Sequence, residues 1–131
     1  MTIEVTRGVL ARILDEAARA HPRECCGILL GGGDAIRALV PAANVHPAPE
    51  RHFEIDPQAL IDAHRAARAG GPGVTGYYHS HPAGPASPSA VDRALAAHDG
   101  RIWAIAADGE VRFWRDREAG FEPLSLRVIE R

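Results

Sequence analysis

The chain has 131 residues, enough for one domain that buries a core without disulfides or a structural metal. Hydrophobic residues make up 46% and charged residues 24%, and 15 basic against 17 acidic side chains leave a net charge of −2 with histidine neutral. No long run of like charge occurs, so nothing in the electrostatics favours nucleic acid or a membrane surface as a partner.

In chain order, Ile3 to Val5 reads as a short strand, and Thr6 caps a helix to about Ala20 with Val9, Leu10, Ile13, Leu14 and Ala17 on one face. Pro22 ends that helix. Glu24 to Leu30 is a mostly apolar strand, and Gly31 to Asp34 is a hairpin turn into Ala35 to Pro41. Residues 44–50 (NVHPAPE) form a loop, and His52 to Ile55 reads as a short strand. Asp56-Pro57 opens a second helix to about Ala69. A glycine turn leads to a central strand, Val74 to Ser80, and Pro82 to Pro88 must be loop. Ser89 opens a third helix through about Ala97. Arg101 to Ala107 and Glu110 to Arg115 pair around Asp108-Gly109, and Leu124 to Ile129 is a last strand. Strands interspersed with three helices imply a single α/β domain over 1–131, a curved mixed sheet or half-barrel flanked by helices.

All 15 basic residues are arginine, which with abundant Ala, Gly and Pro suggests a G+C-rich, bacterial genome. Residues 1–20 lack the continuous apolar core of a signal peptide, and no later run reaches a membrane span, so a cytoplasmic location is expected. Cys25 and Cys26 are adjacent and poorly placed to bridge each other, which argues against a secreted disulfide scaffold.

The densest chemistry is HSHPAGPASPSAVD, His79 to Asp92. His79 and His81 lie two apart on an expected strand, so their side chains share a face roughly 6.5–7 Å apart along the chain. Imidazoles so placed can converge on one ion, and Asp92 sits in the first turn of the helix opened by Ser89. The ten residues between His81 and Asp92 are ample to fold that helix start over the strand end. Two histidines and one aspartate leave a fourth position for water, the pattern of a catalytic rather than a structural zinc. Such a site needs a base that is not a ligand. Glu24 is the candidate, a charge opening an apolar strand. Simpler readings stand beside each element. His-x-His is common on strand faces, Ser-x-x-Asp is a capping box, and Glu24 could be exposed at a strand start.

The combination resolves this. Glu24-Cys25-Cys26-Gly27, then GYYHSHP (76–82), then PSAVD (88–92) resembles the JAMM, or MPN-plus, metalloprotease family, in order and in the seven-residue spacing from His81 to Ser89. PRECCGILLGG is similar to the family's first motif. NVHPAPERHFEIDPQAL is similar to the segment that small prokaryotic members carry before their second helix. The resemblance implies one zinc per chain held by His79, His81 and Asp92, with Glu24 as general acid/base and Ser89 helping to hold the developing oxyanion. It implies hydrolysis of a peptide or isopeptide bond after the C-terminal diglycine of a small ubiquitin-fold protein. Members of this size resemble processing enzymes for sulfur-carrier proteins in cysteine, thiamine, molybdenum-cofactor or siderophore pathways. The partner is then a ubiquitin-fold carrier, with neither nucleic acid nor membrane, and the family leaves a homodimer open.

Two other outcomes belong to the same family: a deubiquitinase-like isopeptidase acting on conjugated proteins, and an inactive MPN scaffold. Scaffolds usually lack some ligands, whereas all three are present here with Glu24. Zinc nucleoside deaminases have a related architecture but require His-x-Glu and Pro-Cys-x-x-Cys, which this sequence lacks. Cys26 shares a strand face with Glu24 and reads as packing beside the site rather than as a ligand or redox switch; Cys25 reads as core, and Ser80, on the opposite face from its neighbours, as structural. His21, His46, His52, His64 and His98 lack partners at ligand spacing, and Trp103 and Trp114 read as packing.

Overall fold

A computed structural model describes residues 1–130. Strand β1 (Thr2–Thr6) runs directly into helix α1 (Arg7–Ala20), because the Thr6 side chain accepts the Val9 N–H and caps the first turn. The apolar stripe of α1 buries Val9 and Ile13, with Leu10, Ala17 and Ala20 packed around them.

Strands β2 (Cys26–Gly32) and β3 (Ala35–Ala42) form an antiparallel hairpin. Its turn is tighter than the sequence suggests. Gly31 and Gly32 stay paired with Ile36 and Ala35, so only Gly33, at φ 60°, and Asp34 turn the chain. A Cβ on Gly31 would lie 1.9 Å from the Ala35 carbonyl oxygen, so the pairing demands glycine there. The strand expected at His52–Ile55 does not form; the segment makes a single bridge, Asn44 to Ile55, and is otherwise loop.

Asp56 caps helix α2 (Pro57–Arg68) by accepting the Gln58 N–H. Strand β4 (Gly73–Ser80) follows, then the short helix α3 (Ala90–Leu95). Helix α3 stops before the expected Ala97 because Ala96 is extended and His98, at φ 58°, donates its backbone N–H to the buried Asp116 at 2.9 Å. Strands β5 (Ile102–Ala107) and β6 (Glu110–Arg117) join at Asp108-Gly109, both at positive φ. A strand not foreseen, β7 (Gly120–Pro123), pairs with β6, and β8 (Ser125–Ile129) closes the order.

The eight strands form one mixed sheet, ordered β7-β6-β5-β4-β2-β3-β1-β8, with β4–β5, β1–β3 and β1–β8 parallel. It is the curled half-barrel with three helices that the sequence implies. Side chains alternate across it. On one face Tyr78, Leu29, Ile36, Ala104 and Cys25 pack under α1. On the other, Cys26, Ile28, Tyr77 and Val74 pack under α2. His79 belongs to this second face, beside Phe53 and Trp103. No helix among the described residues is long and apolar enough to cross a membrane.

Candidate metal centre

Strand β4 has an antiparallel neighbour, β2, on one side and a parallel one, β5, on the other. The site lies where β4 ends. His79 is within the strand and 1% exposed, walled by Phe53 stacked at 4.2 Å and the Trp103 ring edge-on at 5.6 Å. His81 lies just past the strand, not on it as the sequence suggests. It keeps the register because its N–H donates to the Ala106 carbonyl of β5. Its Nδ1 donates to the Pro85 carbonyl at 2.8 Å. The 82–88 loop is anchored in turn by the Trp114 indole, whose N–H donates to the Ala86 carbonyl at 3.2 Å. Trp114 thus does more than fill space.

That loop delivers α3 over the strand end. Ser89 and Asp92 form a reciprocal capping box: Ser89 Oγ accepts the Asp92 N–H at 3.1 Å, and Asp92 Oδ2 accepts the Ser89 N–H at 3.0 Å. The cap therefore aims the carboxylate. His79 Nε2, His81 Nε2 and Asp92 Oδ2 form a triangle with edges of 3.1, 3.1 and 3.2 Å. A tetrahedral ion with bonds of about 2.0–2.1 Å has ligand–ligand edges of about 3.3–3.4 Å. The donor chemistry fits as well. A carbonyl oxygen only accepts, so His81 carries its proton on Nδ1 and, when neutral, offers a bare Nε2 lone pair. His79 Nδ1 is buried with no partner. His81 Nε2 and the Asp92 carboxylate thus present electron pairs to one point, and His79 Nε2 completes the triangle, an arrangement that suits a cation. The residues fit a metal ion.

The electrostatics follow. Burial alone would raise Asp92, but the His79 and His81 imidazoles facing it and the Ser89 N–H outweigh burial and hold the carboxyl far below the usual range. Burial pushes His79 down, whereas for His81 burial is outweighed by the facing Asp92 carboxylate and the Pro85 carbonyl, which favour the protonated ring and push it up.

Glu24 lies two residues before β2, not within it, and is 7% exposed. It lines a cleft of about 390 Å³ with His81, Ser89, Glu50 and Arg51. Burial pushes its carboxyl up to about 7, with opposing smaller effects from His81 and Asp92. The fold thus brings Glu24, His81 and Ser89 to one cleft, with His79 and Asp92 beneath it. Cys26 is not among the converging groups; its thiol points at the Ala42 and Ala43 carbonyls, 3.8 and 3.7 Å away. Cys25 packs on the opposite face, its N–H donating to Ser80 Oγ at 2.9 Å, which gives Ser80 the structural role expected of it. His46 and His52 stack on each other at 4.6 Å in the loop. The sequence reading missed Phe53 and Pro85. The available signal was Phe53 alternating with Ile55 in the segment read as a strand.

Comparison with known proteins decides the family. The family described as prokaryotic homologs of the JAB domain matches residues 6–117. The chain belongs to the prokaryotic JAB family. The chain is 33% identical to a desampylase of Haloferax volcanii over 123 residues, 92% of this chain and 88% of that one. It is 37% identical over 92 residues to a probable TtuB-protein conjugate cleaving protease of Thermus thermophilus, covering 70% of this chain and 62% of the relative. The JAB fold recurs in a JAB1/MPN domain protein of Archaeoglobus fulgidus, with a TM-score of 0.64 at 23% identity over 98% of this chain and 97% of that one. It recurs also in a structure described as a JAMM metalloprotease-like zinc site in the proteasome and signalosome, with a TM-score of 0.62 at 23% identity over 99% and 100%. This JAB-family chain is a JAMM-type hydrolase.

Proposed function

We propose that the protein is a zinc-dependent isopeptidase that hydrolyses the bond after the C-terminal diglycine of a small, sulfur-carrier-like ubiquitin-fold protein. The observation that carries this reading is the convergence of His79, His81 and Asp92 on one point, with Glu24 and Ser89 lining the cleft beside it. A desampylase and a conjugate-cleaving protease among the relatives support ubiquitin-fold conjugates as the substrate class. Two nitrogens and one carboxylate oxygen are a donor set that suits zinc.

His79, His81 and Asp92 would hold the ion. Bound there, zinc supplies a Lewis acid for the scissile carbonyl and lowers the pKa of water towards 7. Glu24, whose carboxyl sits near 7, takes a proton from the attacking water and returns it to the leaving amine. The Ser89 hydroxyl donates to the carbonyl oxygen as negative charge develops there. Phe53 and Trp103 fix the His79 ring and keep water from it.

Two connections border the site, residues 43–56 and 81–89, and neither carries a helix or a strand. They offer little surface to a second folded partner. An extended tail fits better, lying beside the 44–55 segment in the cleft of Glu24, His81 and Ser89, where a diglycine, having no side chains, brings its backbone close to the reacting groups.

The test incubates the zinc-loaded protein with ubiquitin-fold carriers of its own organism, each extended beyond the diglycine, and reads products by mass spectrometry. Release of the extension after the diglycine, with little cleavage of polyubiquitin, is expected. Efficient polyubiquitin cleavage with every carrier intact overturns the substrate. Metal analysis finding no zinc in protein purified without chelators, and no effect of added zinc, overturns the site. His79→Ala and Asp92→Ala are expected to lose most of the metal.

A further inference from the structure

Glu24 stands outside the β-ladder, so neither its backbone N–H nor its carbonyl has a strand partner. Both are nevertheless satisfied, and both by the loop between β3 and α2. The Glu24 N–H donates to the Pro49 carbonyl at 2.7 Å. Its carbonyl accepts from Asn44 Nδ2 at 3.0 Å. The same Nδ2 donates to the His52 carbonyl at 3.0 Å, and Asn44 Oδ1 accepts the N–H groups of His46 and Glu54, each at 3.1 Å. One half-buried amide therefore makes four hydrogen bonds, the full capacity of two donors and two acceptors.

Those bonds tie three places together: the backbone of Glu24, the turn at His46, and the return of the loop at His52 and Glu54. Asn44 itself is fixed by the Asn44–Ile55 bridge and lies just after β3. No other residue type of this length supplies two donors and two acceptors at once. Aspartate keeps the acceptors and loses the donors. Without the amide, Glu24 keeps only the Pro49 bond, and the loop is closed across its neck by the Val45–Glu54 and Ala43–Asp56 backbone bonds alone.

We propose that Asn44 is the positioning residue for Glu24, a clamp that sets where the acid/base carboxylate stands in the cleft. The proposal rests on the catalytic role assigned to Glu24 above, and on hydrogen bonds that are independent of that role. A misplacement of about 1 Å in a catalytic group is worth on the order of 10²-fold in rate. None of the clamp's bonds reaches His79, His81 or Asp92 directly; those to His52 and Glu54 flank Phe53, which stacks on the His79 ring, so metal content is read beside kcat to separate an effect on the ligands from one on proton transfer.

The test compares wild type, Asn44→Asp, Asn44→Ala, Glu24→Gln and the Asn44→Asp/Glu24→Gln pair on a ubiquitin-fold carrier extended by a short peptide. Metal content, thermal unfolding and backbone amide exchange are measured alongside. Asn44→Asp preserves the acceptors for His46 and Glu54 but sets a carboxylate oxygen against two carbonyls. It is expected to keep its metal and its fold, lose roughly 10–10²-fold in kcat with KM little changed, and add no loss on top of Glu24→Gln. Asn44→Ala is expected to lose kcat similarly. The Glu24 amide is expected to exchange at least about tenfold faster in both single variants. Unchanged kcat in folded protein overturns the clamp, as does a change confined to KM, an equal loss in both Glu24 backgrounds, or failure of both single variants to fold. A fully active Glu24→Gln overturns the mechanism instead. The exchange measurement then judges the clamp by itself, and unchanged Glu24 exchange overturns it.

Discussion

Ser89 Oγ spends a lone pair on the Asp92 N–H, which leaves its own proton free to point into the cleft. The two duties separate by magnitude. Ser89→Ala is expected to lose about 1 kcal/mol of stability from the cap and roughly 10²–10³ in turnover from the missing donor. Denaturant unfolding and kcat on the same preparation distinguish them, and intact turnover with lowered stability leaves the cap alone. Glu24 carries its own signature. Its carboxyl is raised from 4.5 to about 7 in the folded protein, chiefly by burial, so the folded state holds this proton more tightly than the unfolded chain does. The stability tied to that proton is fully present below about pH 4.5 and is lost as pH rises through about 7. Glu24→Gln, stripped of metal, should therefore be more stable than stripped wild type above pH 7, by up to a few kcal/mol, and melt higher, and the gap should close towards pH 4. With metal restored, the same variant is expected to lose about 10²–10⁴ in rate. Equal melting at all pH values would show that the buried carboxylate carries no penalty.

At the level of elements, strand β4 is pinned by glycine. A Cβ on Gly76 would lie 1.7 Å from the Ile102 carbonyl oxygen, its parallel neighbour in β5, and one on Gly27 would lie 2.4 Å from the Tyr78 ring. The second contact explains why Gly27 follows the cysteine pair: the Tyr78 ring lies over it and reaches Glu16 with its hydroxyl, at 2.9 and 3.0 Å from the two carboxylate oxygens. Gly76→Ala is expected to lose about 1–3 kcal/mol or more and to weaken metal binding, since His79 is carried three residues on. Calorimetry and metal titration check both. The elements that the sequence announces are those with local causes. Thr6 and Asp56 cap their helices where expected, Asp108-Gly109 turns its hairpin, and the His79, His81, Ser89 and Asp92 pattern is compact enough to read as one site. What stays hidden has distant causes. The 52–55 segment has strand-like residues, but Asn44 closes it into a loop. Helix α3 is cut short by an aspartate twenty-one residues beyond its last helical residue, and β7 exists only because β6 offers it an edge. Glu24 reads as a strand residue until the loop that holds it is seen.

At the scale of the whole molecule, His79, His81 and Asp92, as the proposed ligands, tie the end of β4 to the start of α3, so zinc bound there should act as a fastener. Anything bound only by the folded state stabilises it; at a free zinc concentration 100-fold above its dissociation constant this amounts to about 2.7 kcal/mol. For a domain of this size that is a shift on the order of 10 °C. Adding a chelator is expected to lower the calorimetric midpoint by that much, and an unmoved midpoint would mean that the ion does not join the segments. A different consequence comes from the two cysteines. Cys25 and Cys26 are 8% and 1% exposed, and burial, the main cause, pushes their thiols up to about 11 and about 12. At neutral pH both are therefore held as thiols, away from solvent. The sequence also lacks lysine. To a maleimide or an amine-reactive dye, the folded surface is therefore nearly blank apart from its α-amino group, and one cysteine placed on the exposed face of α2 would become a unique attachment point for a fluorophore.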